Sequence, residues 1–390
     1  MLLCSKKSLM KETGKVNYGL VLGVIIVVVA IVGVAAFAMK PAGPAPTTTT
    51  IITTTTAPTT TTPTTKNLIF QLDWMPGGQH LPFFVAQKMF WKESGLNVEI
   101  IRGSGSADTA RKVGLRAVDF GYSAFDPGTM IKCTELLPIK AIWSGNLKND
   151  IGLFYVVGRD AGRGIVDKND LTTLQGKILG EPAWSASTLQ LPAFLVKVGL
   201  APDAVTRMHI DPGASLAALI RGDSDLHGVG LGEEIEYNKA LSEEGLTGDV
   251  IWFKDYGLIV LGDTLWTSEK LINDDPVTVR KFVEGLQKAF VWVNEHPQEA
   301  AKIMSDAITT WKGLEQTLID GFIGRYKNTM DKEVNAAHGV GYMPPDLVKE
   351  SVANSYIINN IGPDFQLANP LDVMTNDFVN PSIYPTTYLW

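Results

Sequence analysis

Cysteine is almost absent: Cys4 and Cys133 are the only two in 390 residues. An apolar segment between them reads as a membrane crossing, so the thiols are expected on opposite sides of a bilayer and no intrachain disulfide is expected. Histidine is also sparse, with five residues at 80, 209, 227, 296 and 338. No HxxxH or CxxC spacing occurs among these residues, so no metal site is argued. Gly103-Ser104-Gly105 lacks the Gly-x-Ser-x-Gly spacing of a hydrolase nucleophile elbow. Basic residues number 34 against 41 acidic ones, a formal net charge of -7, which makes nucleic acid an unsuitable partner because phosphates need clustered Lys and Arg. A local site can still be positive within an acidic protein. No internal repeat of fixed period is visible.

The first 65 residues carry an address rather than a core. Lys6, Lys7, Lys11 and Lys15 precede the uncharged apolar run Tyr18–Met39, which has about the length that crosses a bilayer. Residues 1–17 are therefore expected in the cytoplasm, 18–39 in the membrane and everything after Lys40 outside it. Ala36-Phe37-Ala38 offers a signal-peptidase site, but the run is longer than the roughly 7–15 residues of a signal-peptide core, which favours an uncleaved anchor. Cys4 lies ahead of the apolar run, where a lipid-anchored cysteine should follow one. Residues 40–65, almost all Thr, Pro and Ala, have too little apolar surface to offset ordering entropy and are expected to form a stalk, bare or O-glycosylated.

About 325 residues follow the stalk, more than one core usually serves, so two lobes are expected. Leu68, Phe70 and Leu72 alternate as a strand does, residues 73–80 break it, and Leu81, Phe84, Val85, Lys88 and Met89 follow helical spacing. Gly95 stops that helix and Asn97–Ile101 begins a second strand. Strand-like runs at 118–122, 139–143, 152–157, 176–180 and 251–253 alternate with helical ones, which argues for parallel α/β sheets. Val277–Asn294 reads as a long amphipathic helix ended by His296-Pro297, with another from Ala300 to Ile308.

Leu72-Asp73-Trp74 with Pro76, the run His80–Gln87 and the run Lys92–Ile100 resemble the opening of the family that unites thiamine-pyrimidine synthases with solute-binding proteins for pyrimidine precursors, sulfonates, taurine and nitrate. The resemblance continues through residues 117–121, 138–141, 174–177, 255–257 and 343–345. It implies the α/β, two-lobed periplasmic-binding type II fold with a ligand cleft between the lobes. Crossings near Val156–Gly158 and Gly257–Val260 would make residues 66–157 and 258–390 a discontinuous first lobe and 158–257 the second.

Candidate ligand groups lie on loops that follow strands. Trp74 is either a flat face for a ring or a core residue, and His80 either a ligand group or structural. Ser104 belongs to a Gly-Ser loop whose following helix could receive an anion, or whose Ser106 and Asp108 are simple caps. Tyr122 and Ser123 either face the cleft or pack in a turn against Pro127. On the second lobe, Trp184 could close over a ring or stand at an exposed edge, and Ser185 repeats the anion logic. Glu233 could accept a ring amino group or begin a solvated helix. Tyr256 could stack on a ligand beside a Gly257 hinge.

The synthase branch of this family uses a pyridoxal-phosphate lysine, a histidine consumed as substrate and a cysteine-rich loop. Ser123, Pro127 and residues 257–263 stand in those places, so the expectation is a binding protein that is not an enzyme and needs no cofactor. The expected function is that of a membrane-tethered receptor on the extracytoplasmic face, delivering a small ligand to an ABC permease and its ATPase. The aromatic count favours a planar heteroaromatic such as a thiamine-pyrimidine precursor, with a sulfonate, taurine or nitrate as the other ligand class. A cell-surface sensor is the alternative role.

Overall fold

The computed structural model describes Thr65–Trp390; the expected anchor and stalk lie outside the described residues. Among the described residues no helix is long and apolar enough to cross a membrane.

Ten strands form two five-stranded sheets. The first contains β1 (Lys66–Gln71), β2 (Leu96–Ile101), β3 (Phe120–Ala124), β4 (Ile139–Ser144) and β10 (Asp263–Ser268), in the order β2-β1-β3-β10-β4. The second contains β5 (Ile151–Val156), β6 (Ile178–Gly180), β7 (Thr206–Met208), β8 (Leu226–Gly230) and β9 (Gly248–Trp252), in the order β7-β6-β8-β5-β9. Leu68 and Phe70 of β1 are buried while Ile69 between them is exposed, and β1 pairs in parallel with β2 (Phe70 opposite Ile100) and with β3 (Phe70 opposite Phe120). Every residue of β3 is buried, as a central strand covered on both faces requires.

Two expectations are corrected here. The sheets are mixed rather than parallel: β10 runs antiparallel to β3 and β4, and β5 antiparallel to β8 and β9. In each sheet the reversed strand is the first one the chain enters after crossing from the other sheet. The first crossing therefore precedes β5 and runs through 145–150, not through Val156–Gly158, because β5 already pairs with β8 from Ile151 onward. The return lies between Trp252 and Asp263, where Gly257 adopts φ +80.

The long helix expected at 277–294 spans Pro276–Glu295, its first turn capped by Asp275, which accepts from the Thr278 N–H at 3.0 Å. It covers the first sheet: the Phe282 ring stacks 3.8 Å from Phe120 and 4.2 Å from Trp91, whose Nε1 donates to the Phe282 carbonyl at 2.8 Å. This packing holds Trp91, on the short helix Phe90–Glu93, against the long helix over the first sheet. The ends of β1, β3, β6 and β8 then face one another across the interlobe cleft.

Candidate functional site

The cleft holds a small cavity, with about 40 Å³ of room for a water-sized molecule, and part of it opens to solvent. That lies well below the range of ligand pockets, so a ring enters only as the lobes part. Asp73 and Trp74 reach it from the loop after β1, Ser106 from the start of the helix Ser106–Gly114, Glu181 and Ser185 from the loop after β6, Ser187 from the first turn of the helix Ala186–Lys197, and Glu233 from the start of the helix Glu233–Glu243.

Carboxyl groups dominate its walls. Asp73 accepts at Oδ1 from His80 Nε2 at 3.0 Å, while His80 Nδ1 accepts the Gly77 N–H at 3.1 Å. That second bond places the imidazole proton on Nε2. Glu181 Oε1 accepts the Gly228 N–H at 2.7 Å and lies 2.7 Å from His227 Nδ1, while its Oε2 is buried without a partner. Burial pulls the His227 pKa down, but the Glu181 carboxylate outweighs it and the net shift is upward. Glu233 Oε1 accepts from Gln79 Nε2 at 2.6 Å and its Oε2 from the Gly230 N–H at 2.8 Å; burial raises its pKa.

One arginine lines the cavity with these groups. Arg325, on the helix Glu315–Lys327, is fully buried and pairs with Asp150 and Asp263. Burial opposes its charge, but the two carboxylates outweigh burial and raise its pKa further, while burial pushes Asp150 up to about 6. Gly230 lacks a side chain where Arg325 passes: a Cβ there would come 2.3 Å from Nη1. Arg325 lines the cavity too, its Nε and Nη1 without hydrogen-bond partners, so one guanidinium shares the wall with the carboxyl groups of Asp73, Glu181 and Glu233.

The lobes are closed over this cavity. The Ala107 N–H donates to the Trp184 carbonyl at 3.1 Å, Gly78 N–H to Glu236 Oε1 at 2.9 Å, and Gln190 Nε2 to Asp126 Oδ1 at 2.8 Å. Burial pushes Glu234 up to about 7 and Glu236 up to about 8. Their ordinary value is 4.5, so between about pH 4.5 and about 8 the folded protein binds more protons than the unfolded chain. Stability is accordingly full at the acid end of that window and falls as pH rises through it. Glu236→Gln keeps an acceptor for Gly78 and makes that fall shallower, which melting temperatures measured from about pH 5 to about pH 8 will show.

Of the residues singled out from the sequence, Trp74, Ser185 and Glu233 line the cavity. Ser185 also caps the helix Ala186–Lys197, accepting from the Thr188 N–H at 3.2 Å. The others sit elsewhere. His80 is fully buried, with both nitrogens occupied, and acts on the cavity only through Asp73. Tyr122 is fully buried against Phe83, ring centroids 4.8 Å apart. Ser123 is also fully buried, and its hydroxyl donates to the Ser106 carbonyl at 2.9 Å. Ser104 stays outside the lining, where Ser106 takes the place expected for it. The anion logic for that loop fails because the opposite lobe's Trp184 carbonyl occupies the Ala107 N–H. Trp184 is 45% exposed at the rim, with the Arg111 guanidinium 4.4 Å over its ring. Tyr256 packs its edge on Phe194 in the second lobe's core, away from the cavity.

Asp73, Glu181, His227 and Arg325 were not among the sequence candidates. Glu181 carried a readable signal, a carboxylate directly after a strand ending in glycine. Arg325 carried none, since it lies inside a helix far along the chain.

Pyridoxal phosphate, the cofactor of the synthase branch, does not fit these residues. No lysine lines the cavity to form a Schiff base, and Asp73, Glu181 and Glu233 stand in the same wall as Arg325.

Comparison with known proteins yields two kinds of relative. The chain is 25% identical over 249 residues, 61% of its length and 70% of the relative's, to the 4-amino-5-hydroxymethyl-2-methylpyrimidine phosphate synthase THI11 of Saccharomyces cerevisiae. Other curated relatives in Saccharomyces, Candida albicans and Aspergillus parasiticus carry the same enzyme name. The expectation that the chain is not an enzyme is corrected by these names. Solved structures establish the two-lobed binding-protein fold. The ligand-binding component of an ABC-type import system from Staphylococcus aureus matches with TM-score 0.57 at 14% identity, over 83% of this chain and 100% of that one. The alkanesulfonate-binding protein SsuA from Xanthomonas axonopodis pv. citri matches with TM-score 0.58 at 12% identity, over 78% and 97%. Residues 78–300, more than half of the chain, match the model of the NMT1/THI5 like family, and the chain belongs to that family.

Proposed function

We propose that the chain is a membrane-tethered, extracytoplasmic receptor that closes on an amino-substituted pyrimidine and presents it to an ABC permease and its ATPase. The observation that carries the ligand class is the buried, unpartnered Oε2 of Glu181 in a cavity that also holds Asp73 and Glu233. An aminopyrimidine brings N–H donors to such acceptors, whereas a sulfonate or nitrate brings only more negative charge. Like charges about 4 Å apart cost about 4 kcal/mol at an effective dielectric of about 20, so three carboxyl groups disfavour an anion against the single guanidinium of Arg325 in the same wall. The pyrimidine named in the curated relatives supports the same ligand class.

The receptor role draws its support from the importer components among the structural neighbours and from the basic and apolar start of the chain. Ligand contacts on both walls would favour the closed arrangement over the open one, and the closed form is what a permease recognises. The relatives' enzyme name supports a second reading, in which the pyrimidine is a product made in this cleft.

Trp74→Ala removes the large flat face from the wall and lowers aminopyrimidine affinity about tenfold or more, read by titration calorimetry. An unchanged affinity would place the indole off the ligand. A thermal-shift panel of aminopyrimidines, sulfonates, taurine and nitrate tests the ligand class: the melting temperature rises with the first and not with the others. Mass spectrometry of the protein incubated with candidate substrates tests the second reading, through the appearance of a pyrimidine phosphate.

A further inference from the structure

Outside the cleft, a groove runs beside the return crossing, with about 490 Å³ of room for a water-sized molecule against about 40 Å³ in the cleft. That size falls within the range of small-molecule sites. One wall is the second lobe's helix Ala186–Lys197 with Pro202 beyond it, the floor is residues 257–259 of the crossing, and the other wall is the end of the first lobe's helix Pro345–Ile358. Asn354 Nδ2 donates to the Ile259 carbonyl at 2.6 Å, which ties the first-lobe wall to the floor. Val196, Ile259 and Ile357 are exposed here, Ile357 by 76%. Aliphatic side chains gathered in a concavity hold water against apolar surface, and an apolar guest releases it.

The lining holds one charged residue among the described residues, Lys197, and no carboxyl group. Seven lysines among the described residues are ion-paired, and Lys197 is not one of them. A Cβ built on Gly257 would lie 3.0 Å from Lys197 Nζ, so the ammonium stands over the floor of the groove. We infer that this groove binds a compact apolar carboxylate, its hydrocarbon body against Val196, Ile259 and Ile357 and its carboxylate on Lys197. A neutral hydrocarbon would leave the ammonium unused, and a cation would be repelled by it. The guest touches both lobes at the hinge, and its binding does not depend on what the cleft takes.

The test uses the full chain in lipid nanodiscs, with empty nanodiscs as the blank, and three probes of one shape at about pH 7: adamantanecarboxylate, the neutral adamantanemethanol and the cationic adamantanamine. Calorimetry is expected to show the carboxylate binding about fivefold tighter than the alcohol, as one exposed ion pair supplies, and the amine weakest. In methyl-labelled protein the signals of Val196, Ile259 and Ile357 should shift on titration. Lys197→Gln is expected to bring the carboxylate down to the affinity of the alcohol and leave the alcohol unchanged. Val196→Trp, at an exposed helix position, fills the groove and is expected to abolish binding of all three. Equal affinity for carboxylate and alcohol in the parent protein would overturn the inference, as would methyl shifts confined to other parts of the molecule or no binding at all. Sedimentation showing the chain paired through this face, with Val196→Trp dispersing the pair, would assign the groove to a second copy and overturn it too.

Discussion

Gly105→Ala lowers ligand affinity about a hundredfold while leaving each lobe folded. Gly105 holds φ +120, and a Cβ built there meets the Trp184 carbonyl oxygen at 2.5 Å and its carbonyl carbon at 2.6 Å. Those atoms are backbone of the opposite lobe, so neither can swing aside as the tip of a side chain would. Closing against the added methyl costs about 1–3 kcal/mol of overpacking. It also strains or breaks the adjacent Ala107–Trp184 hydrogen bond, worth about 1 kcal/mol. Together these correspond to roughly two orders of magnitude in a closed-state binding constant. The backbone strain itself is present open or closed and only lowers the melting temperature. Calorimetry gives the affinity, and small-angle scattering with saturating ligand should show the variant more extended than the parent. Parental affinity in the variant would mean that the ligand binds without the Gly105–Trp184 contact.

Arg325→Met costs about 3–5 kcal/mol of stability, the largest loss expected from a single change. The deletion leaves the fully buried Asp150 and Asp263 facing each other without a counter-charge. Both carboxyl groups are already raised by burial, Asp150 to about 6. Without the guanidinium they rise further, and protonation then relieves the variant. The deficit should therefore narrow as pH is lowered from about 7 to about 5, and the double variant with Asp263→Asn should recover part of it. Denaturant melts at the two pH values read both effects. A deficit independent of pH would place the cost in lost packing around the long side chain rather than in unpaired charge.

The sequence is most legible where pattern is local. The alternation of Leu68 and Phe70 describes β1, and the apolar run from Leu81 describes the helix after it, which is buried through Leu81–Ala86. Strand direction is not local. Nothing within 151–156 or 263–268 says that β5 and β10 run against their neighbours; that follows from where the chain has come from. The same division runs through the site. Trp74 and Glu233 could be found because a loop after a strand points to the cleft. Tyr122 and Ser123 also follow that rule by position, yet β3 continues to Ala124 and keeps them inside the sheet's covered interior. Arg325 was invisible because its partners, Asp150 before β5 and Asp263 at the start of β10, are far from it in sequence and meet it only in the folded protein. The acidity of the cavity, which selects the ligand class, depends on that meeting.

The most direct test of the acidic cleft is a pair of calorimetric titrations, one of 4-amino-5-hydroxymethyl-2-methylpyrimidine and one of an alkanesulfonate, into the parent protein and into Glu181→Gln. The account predicts that the pyrimidine binds the parent and loses at least tenfold in the variant, where one acceptor oxygen becomes an amide N–H donor, and that the sulfonate binds the parent not at all. Sulfonate binding to the parent, with the pyrimidine silent, would contradict it.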